Sequence, residues 1–488
     1  MTTAVDTGWE PVIGLEVHAE LATVTKLFCG CRNEFGAEPN TNVCPVCLGL
    51  PGSLPVLNEK AVELALRLGE ALHFTMPAQS IFHRKNYFYP DMPKNFQTSQ
   101  YDEPICIEGE IEVDGVRVRI TRAHLEEDTG KTMHVGGGGR IHDAEHSLVD
   151  YNRAGVPLLE IVSEPDIFSA EQARAYVTEL RATLLALGVS DVKMEEGSMR
   201  VDANVSVRRV GTRDLGTRTE IKNMNSIRSV QHAIEYEIVR QVEQLEAGER
   251  IVQETRHWNE ADGRTRSMRS KEEAYDYRYF PEPDLVPVVP TDELRARVRE
   301  TMPELPVARR ARLVSEWGIP EHDARVLLDI PGLADYVNEA VGALTAGTPR
   351  DVVNWASGEV LGHLKTGGAI GDLLLAPDAL AELVGLTAAG TINRGQAKEV
   401  LAEALSSGAR PAAIVAARGL AQESDTDALG ATVDAVLEAN AAVVAEYRAG
   451  DEAVRKKKRG FLMGQAATAL EGRANGRVLG DLLDERLR

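Results

Sequence analysis

Apolar and polar residues alternate along several segments in the first part of the chain, with the period of two that a half-buried β-strand shows. Within residues 14–21 one strand face is apolar and the other is polar: Leu15, Val17, Ala19 and Leu21 lie opposite Glu16, His18 and Glu20. A similar alternation over residues 105–121 is interrupted by Asp114 and Gly115, a dipeptide typical of a type I′ hairpin turn. Residues 201–208 alternate in the same way.

Other segments have apolar residues three or four positions apart, which is helical spacing. Ser226 is suited to cap a long helix that ends near Gly248, and Asn393 is suited to cap one that ends at Gly408. We therefore predict an α+β fold. An antiparallel sheet with helices packed on one side comes first, and its other face is free to carry a site; an all-α domain and a small α-helical tail follow.

Prolines mark a predicted boundary between these parts. Six of them occur between Pro281 and Pro306, a density that neither a helix nor a central strand tolerates. We interpret this segment as a linker, because aromatic residues are frequent before it and sparse in the alanine-rich region after it. The predicted domains are residues 1–292, residues 293–422 and residues 423–488.

Four of the five cysteines stand in two closely spaced pairs, Cys29 with Cys31 and Cys44 with Cys47. This spacing indicates a structural zinc site of the knuckle type, in which four thiolates surround the ion. Two disulfides are the alternative in an oxidising compartment. A large chain that is otherwise poor in cysteine and lacks a signal peptide favours zinc. The fifth cysteine, Cys106, is expected to be an ordinary strand residue.

The polar face of the first strand places Glu16, His18 and Glu20 together. Further carboxylates follow at the ends of later predicted strands, in residues 124–128 and at Glu160. Carboxylates beside a histidine suit a hard divalent ion such as magnesium, which orients nucleotide phosphates. Each group alone has a plainer interpretation: an exposed strand face for residues 16–20, and an N-terminal helix cap for residues 126–128.

The formal net charge of −21 argues against a general nucleic-acid coat. A local basic patch still allows an acidic protein to bind RNA, and residues 455–459 are five cations in a row. The alternative for this run is a solvated helix face. No apolar segment is suited to span a membrane, so we expect a cytoplasmic protein with no membrane partner.

Phosphate-binding fingerprints are missing from the sequence. The segment Gly130 to Thr132 resembles the end of a P-loop, but Leu125 stands where the first glycine is required. Bound ATP would therefore use the sheet face and its basic residues.

Several longer segments together resemble the B subunits of the bacterial aspartyl/glutamyl-tRNA amidotransferase family. They are VIGLEVHAEL (12–21), CPVCLGLPG (44–52), RKNYFYPD (84–91), HLEED (124–128), DYNR (150–153), VKMEEGSMRVDANVS (192–206) and YDYRYFPEPD (275–284). The resemblance runs the full length, because RGFLMGQ (459–465) is similar to the family's helical tail near tRNA. Departures are a glycine-rich insertion at residues 136–139 and Gly476 in place of a common proline.

The resemblance implies an ATP-dependent ligase reaction within a heterotrimer. In this family, the B subunit phosphorylates the side-chain carboxylate of Glu misacylated onto tRNA-Gln, or of Asp on tRNA-Asn. Ammonia released from glutamine by the amidase A subunit then forms the amide, and a small C subunit holds the pair together. The implied cofactors are ATP, Mg²⁺ and structural Zn²⁺.

The resemblance also implies site residues. The family's magnesium ligands fall on His18, Glu127 and Glu160, and with the neighbouring Glu16 they form the predicted catalytic set. Our candidates for phosphate contacts, chosen from within or near the shared motifs, are Lys85, Arg153, Arg200 and Lys222. Our candidates for tRNA contacts are Arg455, Lys456, Lys457, Lys458 and Arg459.

Two other classes of function remain open at this stage. A non-enzymatic tRNA-binding scaffold would use the cysteine cluster and the basic run, and its acidic strand face would have no role. A stand-alone metal-dependent kinase or ligase of a small carboxylate would turn over without an amidase partner. The sequence does not distinguish Glu-tRNA from Asp-tRNA as the substrate.

Overall fold

The computed structural model describes residues 8–136, 144–268, 277–364, 369–421, 426–470 and 476–488. It divides into two compact units, Met1–Pro306 and Val307–Arg488. The strands of the first unit are β1 (Trp9–Glu20), β2 (Phe82–Asn86), β3 (Phe96–Gln100), β4 (Cys106–Val113), β5 (Val116–Glu127), β6 (Lys131–Val135), β7 (His146–Asp150), β8 (Pro157–Ser163), β9 (Met199–Arg209), β10 (Thr219–Lys222), β11 (Thr255–Asn259), β12 (Arg264–Ser267) and β13 (Phe280–Pro281). Its helices are α1 (Glu59–Ala71), α2 (Ala170–Ala186), α3 (Ile227–Glu246) and α4 (Asp292–Glu300).

Most of these strands form one sheet in the described part of the chain. Its order is β12-β11-β10-β9-β1-β8-β5-β3-β2-β13, with β4 beside β5, and β6 pairs separately with β7. All neighbours are antiparallel except β10 and β11, which run parallel. The sheet is therefore mixed rather than purely antiparallel, although the predicted α+β class is confirmed.

One face of the sheet is covered by helices. The apolar residues of β1, among them Leu15 and Val17, belong to a core that also contains buried residues of α1, α2 and α3. Ser226 caps α3 by accepting a hydrogen bond from the backbone N–H of Ser229. The β4–β5 turn has positive φ at both Asp114 and Gly115, as a type I′ turn requires. The helical face and the polar face of the sheet are thus separated as the residue pattern predicts.

The proline-rich segment is not only a linker. It contains helix α4, which packs against α1, and Arg67 donates a hydrogen bond to the backbone oxygen of Thr301 at 3.2 Å. The first compact unit therefore extends to Pro306, beyond the boundary predicted at residue 292. Prolines flank α4 without entering it, so their density alone did not exclude a helix there.

The second unit is helical. It comprises α5 (Pro306–Trp317), α6 (Glu321–Asp329), α7 (Leu333–Gly342), α8 (Pro349–Trp355), a π-helical turn (Ala356–Val360), α9 (Leu361–Leu364), a 3₁₀ turn (Ile370–Asp372), α10 (Pro377–Ala388), α11 (Arg394–Ser407), α12 (Pro411–Arg418), α13 (Thr426–Ala439), α14 (Ala441–Ala449), α15 (Glu452–Ala469) and α16 (Gly476–Leu487). Asn393 caps α11 and Gly408, at φ 72°, ends it. No helix in the described ranges is long and apolar enough to cross a membrane.

Two separate apolar cores occur among the described residues of this unit. One joins helices between α5 and α12, from Leu313 to Val415. The other is formed by α13, α15 and α16, with Leu429, Leu462 and Leu483 at its centre. The predicted tail at residues 423–488 therefore has a small core of its own.

Candidate functional site

Strand pairing brings polar side chains into two rows on the uncovered sheet face. The first, which we call the histidine row, crosses β5, β8, β1 and β9 and contains His124, Glu160, His18 and Arg200. The second, which we call the lysine row, crosses β1, β9, β10 and β11 and contains Glu16, Asp202, Lys222 and His257. Directly paired residues point to the same side of a sheet, so each row is a continuous polar strip.

The centre of the histidine row is a compact acid–imidazole cluster. Nε2 of His18 lies 3.3 Å from Oε2 of Glu160 and 3.4 Å from Oε1 of Glu16. Nε2 of His124 lies 3.6 Å from the same Glu160 oxygen and 3.7 Å from Oε2 of Glu126. One ligand atom from each of His18, Glu126 and Glu160 falls within 4.8 Å of the others. The three residues form a candidate metal centre.

The excess of negative charge in this cluster shifts its pKa values. Burial alone would lower the pKa of His18, but contact with Glu160 and the charges of Glu126 and Glu16 outweigh burial and raise that pKa to about 9. Burial opposes ionisation of Glu160, yet His124 and His18 hold its pKa below the ordinary value. Burial and the charge of Glu160 raise the pKa of Glu16. A cation is therefore favoured at the centre of the cluster.

These donors suit a hard divalent cation. Two buried carboxylates, on Glu126 and Glu160, and one imidazole converge on a partly open sheet face, which leaves positions for oxygen atoms of a substrate. The carboxylates that raise the pKa of His18 favour a proton on its imidazole, and a metal ion would displace this proton. The arrangement thus fits Mg²⁺ held by few protein ligands.

Glu127, the residue predicted as the third magnesium ligand, does not join this cluster. Its Oε1 accepts a hydrogen bond from the backbone N–H of Thr98 at 2.8 Å and forms a close ion pair with Lys94. Glu126 takes the predicted place beside His18. In this structure Glu127 lies apart from the cluster, because consecutive residues of a strand point to opposite faces, and its assignment as a metal ligand stays a prediction.

A β-bulge in β5 explains why the alternation of apolar and polar residues did not predict that Glu126, and not Glu127, joins the cluster. The pairing of β5 with β8 shifts register between Ile120 and Arg122. Ile120 before the bulge and Ala123 after it both belong to the core. The side chains that face the core therefore change from even-numbered to odd-numbered positions at this point. Extending the alternation of the β4–β5 hairpin without a bulge would place Glu127, and not Glu126, on the polar face.

The predicted phosphate-binding cations lie at different distances from the cluster. Lys85 is close enough for the charges of Glu126 and Glu160 to raise its pKa against the effect of burial. Lys222 contacts Asp202 at 2.7 Å in the lysine row. Arg200 contacts Asp128 at 2.8 Å. These three cations border the polar face and remain candidates for contacts with an anionic substrate.

Arg153 has a different environment. Its guanidinium donates to the backbone oxygens of Thr129 and Gly130, each at 3.0 Å, and lies 3.6 Å from Asp128. These contacts hold the loop after β5 and leave less of the guanidinium for a substrate. We interpret Arg153 as a residue that positions Asp128, and through it Arg200.

The predicted catalytic set omitted three members of the site, namely Glu126, His124 and Asp202, although the first two lie in residues 124–128, where the sequence indicated metal-binding carboxylates. Asp202 lies with Glu16 and His18 in a second group of possible metal ligands. The i, i+2 spacing of His124 and Glu126 was a usable signal, because it puts both residues on one strand face.

The four paired cysteines meet as predicted. One sulfur atom from each of Cys29, Cys31, Cys44 and Cys47 lies within 4.8 Å of the others, and all are free thiols. Tetrahedral metal–sulfur bonds of about 2.3 Å give sulfur–sulfur edges of about 3.8 Å, and the Cys44 to Cys47 distance is 3.8 Å. The geometry therefore fits a four-thiolate metal site, and the disulfide alternative is not observed.

Hydrogen bonding and a nearby positive charge favour the thiolate form of Cys47. Hydrogen bonding to Cys29 is the largest of the effects that lower the pKa of Cys47, to about 5, and the buried Lys26 adds to it. Nζ of Lys26 lies 3.9 Å from Cys47 Sγ. Cys106 stands apart, buried in the sheet core.

The predicted basic run lies in α15. Arg455, Lys456 and Lys457 are exposed. Lys458 forms an ion pair with Glu446, and Arg459 forms two hydrogen bonds with Asp484 of α16, at 2.5 and 2.6 Å. The run is therefore divided between three outward-facing cations and two that stabilise the tail.

Comparisons with known proteins agree on one family. Residues 11–296 match the model described as the GatB/GatE catalytic domain, and residues 335–487 match the GatB domain. A protein of a Thermoanaerobacter species, described as the B subunit of aspartyl/glutamyl-tRNA(Asn/Gln) amidotransferase, is 50% identical over 484 residues, covering 98% of this chain and 99% of the relative. Proteins of the same description from Frankia casuarinae and Myxococcus xanthus are 52% and 48% identical; 98% of this chain is covered in each case, with 96% and 98% of the relative.

Proposed function

The chain belongs to the GatB/GatE catalytic domain family, and we propose that it is the ATP-using subunit of a tRNA-dependent amidotransferase. It phosphorylates the side-chain carboxylate of Glu on tRNA-Gln or of Asp on tRNA-Asn, and ammonia from a partner amidase then forms the amide. The complex also contains a small third subunit. The observation that carries this proposal is the cluster of His18, Glu126 and Glu160 on the open sheet face.

The chemical difficulty of this reaction is charge repulsion. A carboxylate must approach the terminal phosphate of ATP, and both are anionic. Mg²⁺ held by His18, Glu126 and Glu160 would neutralise charge on the phosphates during transfer. These partly buried side chains are already held in place by the sheet, so they need little reorganisation when charge develops on the transferring phosphoryl group.

Two sides of the cluster have different roles in this proposal. Lys85 borders Glu126, and its Nζ lies 5.2 Å from the ring centroid of Tyr277. We assign it to the acceptor side, where it would orient the transferring phosphoryl group or the carboxylate. Lys222 and Arg200, on the side of β9 and β10, are assigned to the ATP phosphates.

The cysteine cluster is proposed to hold zinc as a structural ion. Its four thiolates fill a tetrahedral site and leave no position open for a substrate. Exposed cations at the start of α15 are proposed to contact the tRNA backbone. These two features support binding and folding, whereas the sheet face performs the chemistry.

The test is amidation by the complete complex. The chain is combined with its amidase and small subunits, glutamine, ATP, Mg²⁺ and misacylated tRNA, and amide formation on tRNA is measured together with phosphate release. His18→Ala should abolish amidation and phosphate release, while hydrolysis of glutamine by the partner remains. Full amidation by His18→Ala, or no dependence on ATP, would overturn the proposal. Tight tRNA binding without any phosphate release would support the scaffold alternative.

A further inference from the structure

Lys26 lies beside the cysteine cluster with its side chain fully buried. Its Nζ donates hydrogen bonds to the backbone oxygens of Asn42 and Tyr151, at 2.9 and 3.5 Å. The same atom lies 3.9 Å from Cys47 Sγ. A lysine ammonium usually extends to solvent, whereas here protein atoms enclose it. The position of this positive charge next to the cluster is therefore fixed by the fold.

The buried ammonium lacks a carboxylate as its counter-charge. In the described part of the chain, Lys26 forms no ion pair with an Asp or Glu side chain. Glu127, which like Lys26 lies near Gly155, already forms an ion pair with Lys94. Backbone oxygens satisfy the hydrogen bonds of an ammonium but leave its net charge uncompensated, and a buried charge without a counter-charge is strongly unfavourable. The cysteine cluster, which Nζ contacts through Cys47, is therefore the candidate for that counter-charge.

A bound zinc ion makes such a cluster strongly negative. Metal binding requires all four cysteines as thiolates, and one Zn²⁺ leaves two of their negative charges uncompensated. The backbone N–H of Cys44 donates to Cys47 Sγ at 3.1 Å, and the ammonium of Lys26 approaches the same sulfur atom. Donors and charges around metal ligands tune the affinity of a site. Cys47 is thus the sulfur through which Lys26 would stabilise the zinc-bound cluster.

We propose that Lys26 is the counter-ion of the metal-bound cysteine cluster and raises its affinity for zinc. Its charge offsets one of the two uncompensated negative charges of the zinc-bound cluster, and the metal-free cluster offers less negative charge for it to interact with. Lys26 is a positioning residue, because it acts through Cys47 and does not bind the ion. This inference rests on the proposed function, since it assumes that the four cysteines hold zinc.

Two substitutions separate the charge of Lys26 from its packing and its hydrogen bonds. Lys26→Met keeps a side chain of similar length and removes the charge. Lys26→Gln also removes the charge, but its amide can still donate to a backbone oxygen. The matched control is Lys60→Met, which removes an exposed ammonium that pairs with Glu63 on α1.

The zinc affinity of the full chain is measured by competition with a chromogenic chelator. Both Lys26 variants should bind zinc roughly 10- to 100-fold more weakly than the parent, as expected when a residue that supports a metal ligand is lost. Lys60→Met should stay within about twofold of the parent, because an exposed ion pair contributes little. Parental affinity in both Lys26 variants would overturn the inference. Parental affinity in Lys26→Gln alone would assign the effect to hydrogen bonding, and it would overturn the role of the charge.

Thermal unfolding with and without zinc distinguishes this coupling from a purely structural role. Zinc should raise the unfolding temperature of Lys26→Met less than that of the parent, because weaker binding gives less stabilisation. Equal losses of stability in the zinc-bound and metal-free forms would overturn the inference. If Lys26→Met does not fold, Lys26→Gln replaces it in both measurements. A parent chain that binds no zinc would refute the proposed zinc site itself, whereas equal zinc affinity in parent and variants refutes only the role of Lys26.

Discussion

His18 and Glu160 face each other across the β1–β8 pair, with Nε2 of the imidazole 3.3 Å from Oε2 of the carboxylate. This contact joins two strands that are distant in sequence and adjacent in the sheet. Because Glu160 also approaches His124, it is the carboxylate around which the cluster is built. Substitutions of Glu126, inside the cluster, and of Glu127, outside it, should affect metal binding in the first case and the stability of the fold in the second.

Replacing Glu126 with Gln should abolish magnesium-dependent amidation while leaving the fold intact. The change removes one carboxylate of the metal centre, and loss of several kcal/mol of charge stabilisation corresponds to a fall of at least about a hundredfold in rate. Amidation rates of the complex are measured as Mg²⁺ is raised. An unchanged rate and unchanged Mg²⁺ requirement would contradict the assignment of Glu126.

Replacing Glu127 with Gln should have the opposite effect. The amide cannot neutralise Lys94, whose side chain is largely buried, so the free energy of unfolding should fall by about 3 kcal/mol. Thermal unfolding of the metal-free chain measures this loss. The Mg²⁺ concentration for half-maximal amidation should stay the same. A stable variant that needs far more Mg²⁺ would restore Glu127 as a ligand.

The cysteine cluster should bind about one zinc ion per chain. Cys44→Ser removes one of four thiolates, so the variant should lose zinc and unfold at a lower temperature. Metal analysis of reduced protein prepared without chelators checks the content. Cys106→Ser is the matched control, since this cysteine lies in the core and away from the cluster. Parent protein without zinc would refute the prediction.

Acid should weaken the contact between Asp128 and Arg200. Burial would raise the pKa of Asp128, but Arg200 and Arg153 outweigh it and lower this pKa to about 2, against an ordinary value of 3.8. A lowered pKa stabilises the fold above the unfolded-state value, so about 2 kcal/mol should be lost as the pH falls from about 4 to about 2.

Denaturant unfolding of the parent and of Asp128→Asn over this pH range provides the measurement. The variant lacks the titrating group, so its free energy of unfolding should change less with pH. The matched control is Asp166→Asn, because Asp166 pairs with the exposed Arg119 and such pairs contribute about 1 kcal/mol or less. Parallel pH profiles for the parent and Asp128→Asn would contradict the prediction.

The exposed cations of α15 should contribute to tRNA affinity in a salt-dependent way. Replacing both Lys456 and Lys457 with Ala should reduce the slope of log affinity against log salt by about 0.7 to 0.9 for each lost phosphate contact. Lys458→Ala should change the slope less, because Lys458 already pairs with Glu446. tRNA binding is measured at several salt concentrations. An unchanged slope in the double variant would favour a solvated helix face.

Local sequence determined much of this protein. The alternation over residues 14–21 decides which side chains of β1 enter the core, because a strand has a period of two. The cysteine spacing predicted the four-sulfur cluster, and Ser226 and Asn393 cap the helices predicted from them. These features depend on residues that are close together in the chain, so they can be predicted from the sequence without knowledge of the tertiary structure.

Tertiary structure decided the rest. The bulge between Ile120 and Arg122, where the pairing of β5 with β8 shifts register, exchanges the faces of Glu126 and Glu127. Pairing between distant strands also brings Glu160 to His18 and aligns Lys222 with His257. Helix α4 forms in a proline-rich segment because α1 offers it an apolar surface. Such long-range pairing and packing leave no periodic signal in the chain, so these relationships emerge only when it is folded.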